Sequence, residues 1–124
     1  MIAYLRGETG GDMVAALLSD PDAECIAHSV NLCEVYYDNI RAVGIQRAKQ
    51  VNLSLYADGV VESRVLNRDF WQRVGEHKAR GAIALPDCFC ISVAQLVNGE
   101  VVTSDHKEYD QIASLNVVPV LFIR

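Results

Sequence analysis

Three acidic side chains stand where a chain can build a metal-ligating or acid–base centre. Glu34 lies in SVNLCEVYY, just inside a helical pattern that follows an apolar stretch. Asp87 lies in LPDCFC, directly after Pro86 and at the head of an apolar helix. Asp105 ends VVTSD, an apolar run closed by Thr103 and Ser104 and followed by the charged HKEYD. In a parallel sheet the segments that follow the strands emerge along one edge, where open α/β sheets take their ligands. Carboxylates gathered there repel one another. A hard divalent cation such as Mg²⁺ or Mn²⁺ offsets that repulsion, because it prefers carboxylate oxygens and retained waters. A site of this kind activates water and stabilises a phosphodiester transition state.

Each acid also has a purely local explanation. Asn31-x-x-Glu34 and Asp105-x-x-Glu108 both have the spacing of a capping box. Asp87 is a natural N-cap or first-turn acid. Spacing alone is compatible with either role.

The elements that must position these acids alternate in type. IAYLRGE and DMVAALLSD read as helices broken at Gly10-Gly11, with Met13, Ala16 and Leu17 on one face. AECIAHSV reads as a buried strand. LCEVYYDNIRAVG follows at helical period, with Leu32, Val35, Tyr36 and Ile40 on one face and Gly44 as C-cap. IQRAKQVNLSLYADG is a further amphipathic helix, VVESRVL a short strand, and NRDFWQRVGEHKARG a helix with Phe70, Val74 and His77 inward. DCFCISVAQLVNG reads as a mostly buried helix, EVVTS as a strand, DHKEYDQIAS as a short helix and VVPVLFI as the last strand, placed at an edge by Pro119. This alternation predicts an α/β three-layer sandwich with a mostly parallel sheet and right-handed crossovers.

Composition narrows the class. The chain has 124 residues, 51% of them hydrophobic and 22% charged, which predicts a single folded domain over residues 1–124 with a buried core. No apolar run reaches the roughly 18 residues that span a bilayer, and MIAYLRGE has no signal-peptide character; the expected location is the cytoplasm. Cys25, Cys33, Cys88 and Cys90 each sit among apolar residues, as small core fillers do, and Cys88-x-Cys90 lacks zinc spacing. The net charge of −5 is uneven: residues 1–40 carry −6, residues 41–80 carry +4 and residues 81–124 carry −3. A basic middle beside acidic flanks fits either a cationic rim near an anionic pocket or a well-solvated helical face.

Taken in order, AYLRGETGGDMVAALL, IAHSVNLCEVYY, LPDCFCISVAQ and VVTSDHKEYD resemble the PIN domain, the metal-dependent ribonuclease fold of VapC-type toxins, from residue 1 to residue 124. The resemblance implies a parallel sheet with helices on both sides. It implies hydrolysis of RNA phosphodiesters with carboxylate-bound Mg²⁺ or Mn²⁺, with Glu34, Asp87 and Asp105 as catalytic and metal-holding acids. It assigns Thr103 or Ser104 to orient Asp105, Ser29 or Asn31 to support Glu34, Asp110 as an outer carboxylate, and Lys78 and Arg80 to RNA phosphates. The implied partners are RNA, a small VapB-type antitoxin and a second copy of the chain, with no membrane; Tyr36, Tyr37, Leu53, Leu55 and Tyr56 read, each taken singly, as helix faces packed on the core, or together as the surface offered to such an interface.

The family's first strand and first acid are missing from this sequence, which begins inside the first helix. One expectation is a start set too late, with Met1 an internal methionine; the other is a natively short chain that closes its sheet differently or borrows a strand by swapping. Either way the sequence predicts poor metal binding and RNA cleavage that is weak or absent. The competing function is a non-catalytic PIN-like module that binds RNA or a protein partner.

Overall fold

The computed structural model of the chain describes residues 1–124 throughout. It divides into two compact units, Met1–Ser63 and Arg64–Arg124.

The first unit runs α1 (Ile2–Arg6), α2 (Gly11–Ser19), β1 (Ile26–His28), α3 (Ser29–Val43), α4 (Ile45–Ala57) and β2 (Val61–Ser63). Gly7, left-handed at φ 63°, ends α1. Gly11 then starts α2 so close to α1 that a Cβ there would lie 2.7 Å from the Ala3 carbonyl oxygen, so glycine is needed for this approach. α2 turns Val14, Leu17 and Leu18 partly inward, while Met13 and Ala16 are exposed, so its packing face is rotated from the one periodicity suggested. β1 and β2 pair in parallel, Ile26 with Val61 and His28 with Ser63. Ala27, Leu32, Val35, Leu55 and Val60 form the core of this unit, packed on its rim by Met1, Ile2, Tyr4, Leu5 and Leu18. Full burial of a side chain such as Leu55, 0% exposed, contributes about 2 kcal/mol.

α3 begins at Ser29, three residues before the apolar period suggested, because the His28 ring serves as its cap: Nδ1 accepts the Val30 N–H at 3.2 Å. Asn31 is therefore inside the helix and is not the cap of an Asn31/Glu34 box. Leu55 faces the core of this unit, so it is not part of any exposed surface, whereas Tyr37 (42%), Leu53 (67%) and Tyr56 (44%) are exposed and Tyr36 is half-buried. Cys33 is exposed and so is no core filler; Cys88 is buried, and all four cysteines are free thiols.

The second unit runs α5 (Arg68–Arg80), α6 (Leu85–Val97), β3 (Val101–Thr103), α7 (His106–Ser114) and β4 (Val120–Phe122). Asn67 caps α5, its Oδ1 accepting the Phe70 N–H at 3.0 Å. α6 is almost wholly apolar and carries Pro86 in its first turn, where a missing N–H costs nothing. Phe70 and Phe89 meet at 6.0 Å between ring centroids, tilted by 53°. His77, buried as expected, pairs Nε2 with Gln95 Oε1 at 2.9 Å, and Gln95 Nε2 donates to the Val117 carbonyl at 3.0 Å. β3 and β4 pair in parallel, Val101 with Val120 and Thr103 with Phe122. Pro119 lies just before β4, not within it; its carbonyl accepts the Val101 N–H at 2.9 Å. The parallel pairing is thus present as two two-stranded sheets, one in each unit. No helix is long and apolar enough to cross a membrane.

Candidate active site

Asp105 leaves the carboxyl end of β3 and caps α7: its Oδ1 accepts the Glu108 N–H at 3.1 Å. The Thr103 hydroxyl oxygen accepts the Asp105 N–H at 3.0 Å, so Thr103 fixes the backbone at Asp105 while the side chain stays exposed. Ser104, between them, is half-buried.

Asp87 occupies the first turn of α6, whose N-cap, Ala84, has no side chain able to cap. The carboxylate of Glu108 accepts the N–H of Ala84 itself at 2.9 Å, the bond that the N3 acid makes in a capping box. One residue further along α7, the Tyr109 hydroxyl donates to Asp87 Oδ1 at 2.9 Å. Tyr109 is 1% exposed. Burial, with Cys90 and Asp87 adding to it, pushes its phenol well above the usual tyrosine range, so it stays a donor. The Cys90 thiol, one turn along α6 from Asp87, is pushed up to about 11 by burial, so little of it is thiolate near neutral pH.

His106, the first residue of α7, is fixed on three sides. Its Nδ1 meets Asp110 Oδ1 at 2.8 Å, its Nε2 meets the Arg124 main-chain oxygen at 2.8 Å, and its ring stacks on Phe122 at 4.2 Å. The hydrogen bond to Asp110 raises its pKa. Asp110, proposed by resemblance as an outer carboxylate, is engaged in this contact. Lys78 is likewise occupied: Nζ donates to the Ile83 carbonyl at 2.6 Å. Arg80 is exposed, 3.9 Å from Glu76.

In the first unit, Glu34 is half-buried on α3 and its Oε1 accepts the Tyr37 hydroxyl at 3.4 Å. The Glu34 charge raises the Tyr37 pKa, and the Arg41 guanidinium lies 4.8 Å from the Tyr37 ring centre. Ser29, expected beside Glu34, instead donates its hydroxyl to Glu62 Oε1 at 2.6 Å and to the Ser63 carbonyl at 3.3 Å. The Tyr56 hydroxyl donates to the other oxygen of Glu62 at 3.3 Å. Glu62 in the middle of β2 is thus the acid Ser29 serves, and VVESRVL carried only the signal of one acid inside a strand.

Within neither unit do three or more His, Cys, Asp or Glu side chains gather as a metal-holding group. Asp87 and Asp105, in and at the head of the first turns of α6 and α7, are carboxylates, the ligand type that hard divalent cations prefer, and adjacent residues of α7 bond to both.

Comparison with known proteins follows the same lines. One chain of the 2.2 Å structure of VapBC-1 from nontypeable Haemophilus influenzae matches with a TM-score of 0.69 at 15% identity, over 98% of this chain and 92% of that one. No curated protein sequence matches. The short parallel strands and seven helices are those of a PIN-like α/β fold. The PIN domain family matches residues 1–115, and the chain belongs to that family.

Proposed function

We propose that the protein is a metal-dependent endoribonuclease, the toxin of a VapBC-type pair, hydrolysing RNA phosphodiesters with Mg²⁺ or Mn²⁺ held by Asp87 and Asp105. Family resemblance gives Glu34 the same ligand role. The observation that carries the reading is the bracing of Asp87 and Asp105 by adjacent residues of α7, Tyr109 and Glu108. The Glu108 bond is the cap of α7 itself, whereas capping α6 does not require the Tyr109 hydroxyl on Asp87.

When bound, the cation supplies charge stabilisation for the phosphodiester transition state and lowers the pKa of an attacking water. The chain's own part is to hold carboxylate oxygens in fixed directions and to exclude competing donors. Thr103 does this for Asp105 through the main chain, and Tyr109 does it for Asp87 through the side chain. Arg80 is available to an RNA phosphate, whereas Lys78 reaches one only by leaving the Ile83 carbonyl. The VapBC-1 likeness supports a small VapB-type antitoxin as partner, and we carry the homodimer of VapC-type toxins to this chain.

A second reading, a PIN-like module that binds RNA or a protein without cutting, draws on the fact that neither unit gathers three metal-ligating groups. RNA cleavage separates the two. The nuclease reading expects cleavage that needs Mg²⁺ or Mn²⁺, stops with a chelator and is lost in Asp87→Asn. RNA retained uncut with either metal by the folded protein supports the binding module.

A further inference from the structure

We infer that Tyr109 is a positioning residue for Asp87, and that Glu108 and Tyr109 together let one turn of α7 set the carboxylates at the heads of both α6 and α7. The inference rests on the nuclease reading and concerns how its acids are held.

Packing alone does not explain a tyrosine here. At 1% exposure the ring lies in the core, and a phenylalanine would fill the same space with no polar atom to satisfy. A buried hydroxyl is costly unless it is paired. This one donates to Asp87 Oδ1 at 2.9 Å. A first-turn aspartate otherwise samples several rotamers; a fixed donor on one oxygen selects the orientation in which the carboxylate meets its ligand. Glu108 works from the same turn. Its N–H holds Asp105 Oδ1 at 3.1 Å, and its carboxylate holds the Ala84 N–H, three residues ahead of Asp87, at 2.9 Å. Removing the partner that orients a ligand commonly weakens metal binding about 10–100-fold.

The test uses Mn²⁺ alone, read by its paramagnetic broadening of backbone amide signals in the wild type, Asp87→Asn and Tyr109→Phe. The inference expects selective broadening around Asp87 and Asp105 in the wild type and its loss in Asp87→Asn. In Tyr109→Phe the same broadening should need about tenfold more Mn²⁺, while the amide spectrum elsewhere and the melting temperature stay close to wild type. A Tyr109→Phe titration that overlays the wild type, with Asp87→Asn still abolishing the effect, overturns the positioning role and leaves the metal site standing. Broadening that is unselective in the wild type, or unchanged in Asp87→Asn, overturns the metal reading and the positioning role with it.

Discussion

The carboxylate of Glu108 on α7 accepts the backbone N–H of Ala84, the N-cap of α6, at 2.9 Å. In a capping box this bond is made by an acid of the same helix; here another helix supplies it. Glu108→Ala should therefore destabilise the protein by about 1 kcal/mol, the usual worth of a cap, although α6 is not the helix that carries the substitution. Glu108→Gln keeps an oxygen acceptor and should recover most of the loss. Urea unfolding midpoints of the two variants check this; equal losses would mean that charge, not the acceptor, matters.

His106 makes stability depend on pH in a direction fixed by its partners. Asp110, first, and the Arg124 main-chain oxygen favour the protonated ring and raise its pKa in the folded protein above the ordinary value of 6.5. The folded state then binds the proton more tightly than the unfolded state does. The added stability is full below the unfolded pKa and is lost as pH rises through the folded one. Wild type should lose melting temperature from slightly acid to slightly basic pH relative to His106→Gln, and the His106 ring signals should titrate above 6.5. A ring that titrates below its ordinary value would contradict this.

The four thiols should differ in reactivity. Cys33 is exposed, whereas burial pushes Cys90 up to about 11 and also raises Cys88 and Cys25. Reaction is through the thiolate, so a thiol reagent at neutral pH should label Cys33 first in the native protein. Cys90 should be labelled only on unfolding. Mass spectrometry of partly labelled protein reads this out, and early labelling of Cys90 would show that α6 opens locally.

What was legible in the sequence was what is local in it. Asp105 and Glu108 are three residues apart, and Asp105 caps α7 as spacing suggested, but the reciprocal half of the box is absent because the Glu108 carboxylate turns to Ala84 and the Asp105 N–H to Thr103. The helices at 45–57 and 68–80 and the strand at 101–103 lie where periodicity placed them. Long-range partners left no trace. Tyr109 is 22 residues from Asp87, and Ser29 is 33 from Glu62, so no window of sequence pairs them. The Asn31/Glu34 box failed because His28 claimed the cap first, and a ring nitrogen is an uncommon cap. Leu55 was left between core and interface because α4 has apolar residues on two sides: Ala48 and Leu55 inward, Leu53 and Tyr56 outward. Periodicity finds a stripe but does not say which of two stripes is buried.

Spacing left two roles open for Asp105, helix cap and metal ligand; the cap is present, and one pair of substitutions tests the other. As N-cap of α7, its Oδ1 needs only to be an oxygen acceptor for the Glu108 N–H. Asparagine caps as well as aspartate does, whereas alanine costs about 1 kcal/mol. As a metal ligand, Asp105 needs its negative charge, which asparagine lacks. Asp105→Asn should therefore unfold at nearly the wild-type urea concentration yet lose RNA cleavage and the Mn²⁺ effect on neighbouring amides. Asp105→Ala should lose these and stability together. If Asp105→Asn keeps full cleavage, the residue is a cap alone, and the carboxylate at the end of β3 serves the helix that follows it.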